Sequence, residues 1–213
     1  MKLVKEKRNV LNKEECDIII NYCNNRLLSE EDIYNYNDTL FGDNKYGEIN
    51  KDLYKKIKSG MKIKTSGRLQ SYFHPTDGNL KVIKDKLKLV ISELVTETSD
   101  EFYSTDNIEP FIFFKYPKRS RCALHSDVIP QEKDENGNIL NINRTWSCIV
   151  YLNDDFEGGE TNFPILGKTI VPETGKIIIY KTDEETIHEG TKILKGKKFI
   201  MVCGIKNRSI ISG

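Results

Sequence analysis

Pro110-Phe111-Ile112-Phe113-Phe114-Lys115-Tyr116 opens the part of this chain whose reading decides the fold. Together with residues 146–152, 168–171, 176–180 and 198–205, it forms a series of short apolar or alternating runs punctuated by Gly, Asp, Asn and Pro, which is the pattern of strands. Upstream the period changes. Residues 12–28 predict a helix: Asn12 suits its cap, Glu14 and Glu15 its first turn, and Cys16, Ile19, Ile20 and Cys23 recur at helical spacing. A second helix is expected around residues 49–59. A third spans 79–95, with Val82, Ile83, Leu87, Val90, Ile91 and Leu94 on one face. Helices first and closely spaced strands afterwards define an α+β chain whose β part is a sandwich or jelly roll.

Two polar stretches interrupt this pattern. Residues 29–50 carry Tyr34, Tyr36, Phe41 and Tyr46 among Asp, Asn and Gly, and read as a long surface loop or as a flap over a substrate groove. The charged excursion Gln131-Glu132-Lys133-Asp134-Glu135-Asn136-Gly137-Asn138, with its Asn-Gly turn, reads as a solvated loop or a substrate lid.

With 213 residues the chain fits one domain large enough to bury a core without disulfide or metal staples. Its 33 basic and 32 acidic residues leave a formal charge of +1, so no global field points to nucleic acid or to a membrane surface. Five scattered cysteines, Cys16, Cys23, Cys122, Cys148 and Cys203, read as buried thiols in a reducing compartment. The start, Met1-Lys2-Leu3-Val4-Lys5-Glu6-Lys7, is charged and lacks a following apolar stretch, and no apolar run is long enough to span a bilayer. A cytoplasmic location is expected.

The chemistry is carried by His125-Ser126-Asp127 and by His188. An H-x-D pair with one distant histidine is the sequence form of the two-His-one-carboxylate facial triad, which holds Fe(II) on one face and leaves the opposite positions open to oxygen and a cosubstrate. At i and i+2 of an extended strand, His125 and Asp127 point to the same face. The third histidine, His74, lies outside this pattern and reads as a surface or packing residue.

The segment Tyr151-Leu152-Asn153-Asp154-Asp155-Phe156-Glu157-Gly158-Gly159-Glu160-Thr161-Asn162-Phe163-Pro164 and the tail from His188 to Phe199 resemble the prolyl 4-hydroxylase branch of the Fe(II)/2-oxoglutarate dioxygenases. The resemblance begins at Leu11-Asn12-Lys13-Glu14-Glu15-Cys16-Asp17 and is strongest between residues 114 and 199. It implies a double-stranded β-helix, a jelly-roll core of about eight strands with the N-terminal helices on its outer face. Residues 1–109 would then be helical support and substrate loops, and residues 110–207 the catalytic core of a single domain.

The resemblance further implies His125, Asp127 and His188 as metal ligands, with no catalytic side chain beyond them. Lys198, ten positions after His188, would form a salt bridge with the far carboxylate of 2-oxoglutarate. Lys192, Lys195 and Lys197 compete for that part, but Lys198 begins an apolar strand. Tyr151 would hydrogen-bond the same carboxylate, Tyr116 would wall the pocket, and Thr161 would face inward near the cosubstrate. The implied cofactors are Fe(II), 2-oxoglutarate, O2 and ascorbate as reductant.

The implied reaction is hydroxylation of a side chain in a peptide or protein partner, prolyl first, with release of succinate and CO2. Lysyl, arginyl or free amino acid hydroxylation, and a non-catalytic jelly-roll binding module, are the alternatives. The chain departs from the pattern at Pro117-Lys118-Arg119-Ser120-Arg121-Cys122, where many relatives have a glycine-rich stretch and a second tyrosine, and at Phe199 in place of tryptophan. The first departure bears on substrate identity.

Overall fold

The computed structural model describes residues 3–26, 68–99, 101–127 and 144–206. The expected helix at 49–59 and the two polar stretches lie outside the described residues.

Helix α1 spans Lys13–Asn24 and begins as its sequence predicts. Asn12 Oδ1 accepts from the Glu15 amide at 2.8 Å, and Glu15 Oε2 accepts in return from the Asn12 amide at 2.9 Å, a reciprocal cap worth about 1 kcal/mol. Helix α2 spans Gly78–Thr96 and buries Ile83, Leu87, Ile91, Leu94 and Val95.

Twelve strands are described: β1 (Val4–Lys7), β2 (Leu69–Phe73), β3 (Phe111–Tyr116), β4 (Cys122–His125), β5 (Arg144–Tyr151), β6 (Glu157–Gly158), β7 (Thr161–Phe163), β8 (Lys168–Ile170), β9 (Ile177–Lys181), β10 (His188–Gly190), β11 (Ile193–Lys195) and β12 (Lys198–Lys206). They form an antiparallel six-stranded sheet in the order β1-β9-β5-β12-β3-β2, a four-stranded sheet β4-β10-β7-β8, and a small pair β11-β6. The fold is α+β, with a double-stranded β-helix core.

Both faces of the large sheet are covered, so its strands read as almost continuous apolar runs. In β5, Cys148 and Val150 face the helices while Ile149 and Tyr151 face the barrel interior. In β9, Ile177 and Ile179 join the helix-side core, and Ile178 and Tyr180 the interior one. Helices α1 and α2 thus pack on the outer face of the sheet, and the interior is left to the site.

Two strands escape a reading by apolar runs. β1 is Val-Lys-Glu-Lys, yet it pairs with β9; Val4 is buried and Glu6 reaches Lys168 at 3.0 Å and Lys176 at 3.6 Å. Lys176 is only 2% exposed, and its ammonium donates to the Val171 carbonyl at 2.8 Å. β2, Leu-Gln-Ser-Tyr-Phe, completes the opposite edge beside β3.

Gly175 docks the N-terminal segment. Its carbonyl accepts from the amides of Val10 (3.0 Å) and Leu11 (3.3 Å), and its φ of +76° lies in the left-handed region. A Cβ there would stand 1.9 Å from the Leu11 carbonyl oxygen. Gly175→Ala is expected to lower stability by about 2–4 kcal/mol, against about 1 kcal/mol for Asn12→Ala, read as the shift in a urea unfolding midpoint.

Candidate metal centre

Antiparallel pairing of β10 with β4 sets His188 directly opposite His125, and their ring centroids are 4.4 Å apart. β4 ends at His125, so Asp127 follows the strand instead of lying on it. Its carboxylate nevertheless returns to the same side, with Oδ1 3.4 Å from His125 Nε2. One ligand atom from each of His125, Asp127 and His188 lies within 4.8 Å of the others.

Both imidazoles are oriented from behind. His125 Nδ1 is 2.8 Å from the Ala123 carbonyl and His188 Nδ1 is 3.1 Å from that of Thr186. An Nδ1–H given to a backbone carbonyl puts the Nε2 lone pair toward the centre, the arrangement in which histidine serves as a metal ligand. Burial opposes charge on Asp127, but hydrogen bonds from His125 and Tyr180 hold its carboxyl well below the usual range. Asp127 in turn lifts His125 to about 10, and a metal ion entering here exchanges with that proton. Burial lowers His188. The donor set fits a divalent transition metal, with two neutral imidazoles, one carboxylate and room on the far side.

A buried cation lies deeper in the barrel. Lys198, 4% exposed, begins β12 opposite Tyr116 and donates to the Gly159 carbonyl. Its ammonium is 5.3 Å from the Tyr151 ring centroid and 5.9 Å from that of Tyr116. The Tyr151 hydroxyl lies 2.7 Å from Thr161 Oγ1, and both residues are buried. Burial pulls the Lys198 ammonium down to about 8. Lys192, Lys195 and Lys197 are exposed, and Lys195 pairs with Glu157 at 3.0 Å.

A cavity of about 260 Å3 joins these groups, lined by Lys198, Thr161 and Tyr116 as well as by the three candidate ligands. Along β12 it runs from Lys198 past Ile200 and Val202 to Gly204, where Glu109 and Arg144 form an ion pair. His74 is exposed and lies outside the cluster.

Three features of the site are not foreseen from the sequence. Tyr180 donates its hydroxyl hydrogen to Asp127 Oδ2 at 2.6 Å and lies 3.2 Å from His188 Nε2. Arg68 places Nη1 3.4 Å from the Tyr116 hydroxyl and 3.6 Å from Cys122 Sγ, with its guanidinium 4.5 Å over the Phe114 ring. The Glu109–Arg144 pair is the third. Only Tyr180 left a signal: it ends the apolar run of β9 at an inward position.

Residues 111–205 match the family described as the 2OG-Fe(II) oxygenase superfamily. The match spans 95 of the 213 residues. Solved structures similar to the chain include a viral collagen prolyl hydroxylase from Paramecium Bursaria Chlorella virus-1 in complex with 2OG, at 20% identity and a TM-score of 0.63, covering 96% of each chain. A Pseudomonas putida prolyl-4-hydroxylase follows at 13% identity and TM-score 0.56, covering 97% of this chain and 94% of that one. A Trichoplax adhaerens prolyl hydroxylase, in complex with a hypoxia inducible factor oxygen degradation domain peptide fragment, matches at 11% identity and TM-score 0.58, covering 99% and 88%. At these identities the likeness is one of fold. No curated protein matches the chain. Among the described residues, no helix is long and apolar enough to cross a membrane.

The Tyr151–Thr161 contact is testable by stability alone. Thr161→Val leaves a fully buried phenol without its partner and is expected to cost about 1–3 kcal/mol in denaturant unfolding. Adding Tyr151→Phe should recover part of that loss, giving a coupling energy in the double-mutant cycle.

Proposed function

We propose that the chain is an Fe(II)- and 2-oxoglutarate-dependent dioxygenase that hydroxylates a side chain of a peptide or protein, prolyl residues first, with release of succinate and CO2. The observation that carries this reading is the convergence of His125, Asp127 and His188 on one point of a cavity whose depth holds the buried Lys198. The solved neighbours support the prolyl preference, because those named above are prolyl hydroxylases and one holds a peptide.

In this reading His125, Asp127 and His188 would hold the metal. Bound Fe(II) supplies the activation of dioxygen, coupled to oxidative decarboxylation of 2-oxoglutarate, with ascorbate as an external reductant. Lys198 pairs with the far carboxylate, Tyr151 and Thr161 offer it hydrogen bonds, and Tyr116 closes the side of the pocket. Ile149, Ile200 and Val202 line the cavity with apolar surface that limits water beside the reacting groups. The protein's work is placement and shielding.

Incubated with Fe(II), ascorbate, 2-oxoglutarate and a peptide library rich in proline, the protein should add a single oxygen, detected by mass spectrometry together with succinate. His125→Ala, Asp127→Ala and His188→Ala should each abolish turnover while leaving the far-UV circular dichroism of a folded barrel. Normal activity in two of these variants would remove the ligand assignment.

Lys198 makes binding of 2-oxoglutarate dependent on pH. The dianion needs the protonated ammonium, so affinity should be flat below pH about 8 and fall above it by up to tenfold per unit as the proton leaves. Lys198→Arg stays charged and should abolish that slope, at lower affinity because its fork needs another pocket shape. Lys198→Ala should lose about 3–5 kcal/mol of binding, whereas Lys195→Ala and Lys197→Ala should change little. Titration of 2-oxoglutarate into the Mn(II)-loaded protein, followed calorimetrically, measures all four.

A further inference from the structure

Tyr180 touches two of the three candidate ligands, Asp127 and His188, and makes the two carboxylate oxygens of Asp127 unequal. Its hydroxyl hydrogen goes to Asp127 Oδ2 at 2.6 Å, whereas Oδ1 faces His125 Nε2 at 3.4 Å. The phenol has little freedom to leave. Tyr180 is 2% exposed on β9, between β1 and β5 in the large sheet, and its ring meets His188 edge-on at 4.8 Å and Phe163 at 5.3 Å. Asp127 belongs to the other side of the barrel, two residues beyond the end of β4, where strand pairing no longer fixes the backbone. The Tyr180–Asp127 hydrogen bond therefore ties the carboxylate to the opposite sheet.

We propose that Tyr180 is a positioning residue that holds Asp127 as a one-oxygen metal ligand, engaging Oδ2 and reserving Oδ1 for the ion. This rests on the metal centre proposed above. A carboxylate without that restraint can turn and bind through both oxygens, which fills one of the positions that the cosubstrate and dioxygen require. A hydrogen-bonded outer partner that fixes a ligand's orientation typically changes metal affinity 10–100-fold when removed. The adjacent His188 is steadied by the same ring, so one side chain sets the angle of one ligand and the mode of another.

The test uses Tyr180→Phe, which keeps the ring and deletes only the hydroxyl, and Tyr103→Phe as control. Tyr103 likewise has a partly buried hydroxyl, 3.0 Å from Thr145 Oγ1 and 3.1 Å from Glu101, but contacts none of the candidate ligands. Mn(II) affinity is read by electron paramagnetic resonance and coordination by the ligand-field bands of the Co(II)-loaded protein. Tyr180→Phe should weaken Mn(II) about 10–100-fold and shift the Co(II) bands in position and intensity; Tyr103→Phe should do neither. An unchanged Co(II) spectrum in Tyr180→Phe overturns the proposal whatever happens to affinity, since Tyr180 would then be packing alone.

Should Tyr180→Phe fail to fold, the unmutated protein decides. The infrared difference spectrum on Mn(II) binding to aspartate-labelled protein should show the wide carboxylate splitting of a one-oxygen ligand, and the narrow splitting of a chelating one overturns the proposal. If Co(II) bands in the unmutated protein survive His188→Ala, the metal centre itself is wrong and the clamp falls with it. Bands lost in His188→Ala but unchanged in Tyr180→Phe remove the clamp alone.

Discussion

The central sheet is buried on both faces, and the rest of the structure depends on that constraint. Side chains alternate between two dry compartments, one beneath the helices and one inside the barrel, so a polar group on the inner face meets other side chains instead of bulk water. Each inward polar group in β5, β9 and β12 discussed above is accordingly matched: Tyr151 with Thr161, Tyr180 with Asp127, Lys198 with the Gly159 carbonyl. Lys176 obeys the same rule at the rim, through Val171 and its acidic neighbours.

Asp127 and Lys198, two of the charged groups that line that interior, are treated differently. Asp127 has close donors in His125 and Tyr180, and its carboxyl is held low despite burial. Lys198 has a neutral carbonyl as its hydrogen-bond partner among the described residues, and burial pushes its ammonium down. A cation in that position gains from an anion that brings two oxygens into the pocket, because the cost of removing the charge from water has already been met by the fold. In the reading proposed above, the asymmetry gives the cavity a direction, with an anionic ligand favoured at the Lys198 end and a cationic one at the triad.

Much of this was legible in the chain, for identifiable reasons. The apolar runs of β3, β5, β9 and β12 are long because both faces are covered, helix α1 carries a plain cap, and both helices have periodic apolar faces. The H-x-D and distant histidine stand out because histidine is rare here. β1 was invisible because it is an edge strand of charged residues whose partners, Lys168 and Lys176, are remote in sequence. Tyr180 hid for the opposite reason, since a tyrosine closing an apolar strand looks like core, and only the fold shows that its hydroxyl meets Asp127. Arg68 and the Glu109–Arg144 pair depend on contacts between elements that local pattern does not encode.

The position of Asp127 follows from an irregularity, not from regular strand geometry. Between His188↔His125 and Gly190↔Cys122 the pairing of β10 with β4 shifts register, so β4 carries one residue more than its partner over the same interval. Such a bulge bends the strand and re-aims the side chains beside it. Here it accompanies the turn of the His125 ring back onto the Ala123 carbonyl and brings Cys122 Sγ to 3.7 Å from the same nitrogen. The strand stops immediately afterwards, which frees Asp127 from the alternation that i and i+2 would impose and leaves its carboxylate to be oriented by His125 and Tyr180. A strictly regular strand would also put both side chains on one face, but it would fix the angle between them. Ending the strand at His125 lets side-chain hydrogen bonds set that angle instead, so the geometry of the candidate ligands answers to groups on both sheets of the barrel.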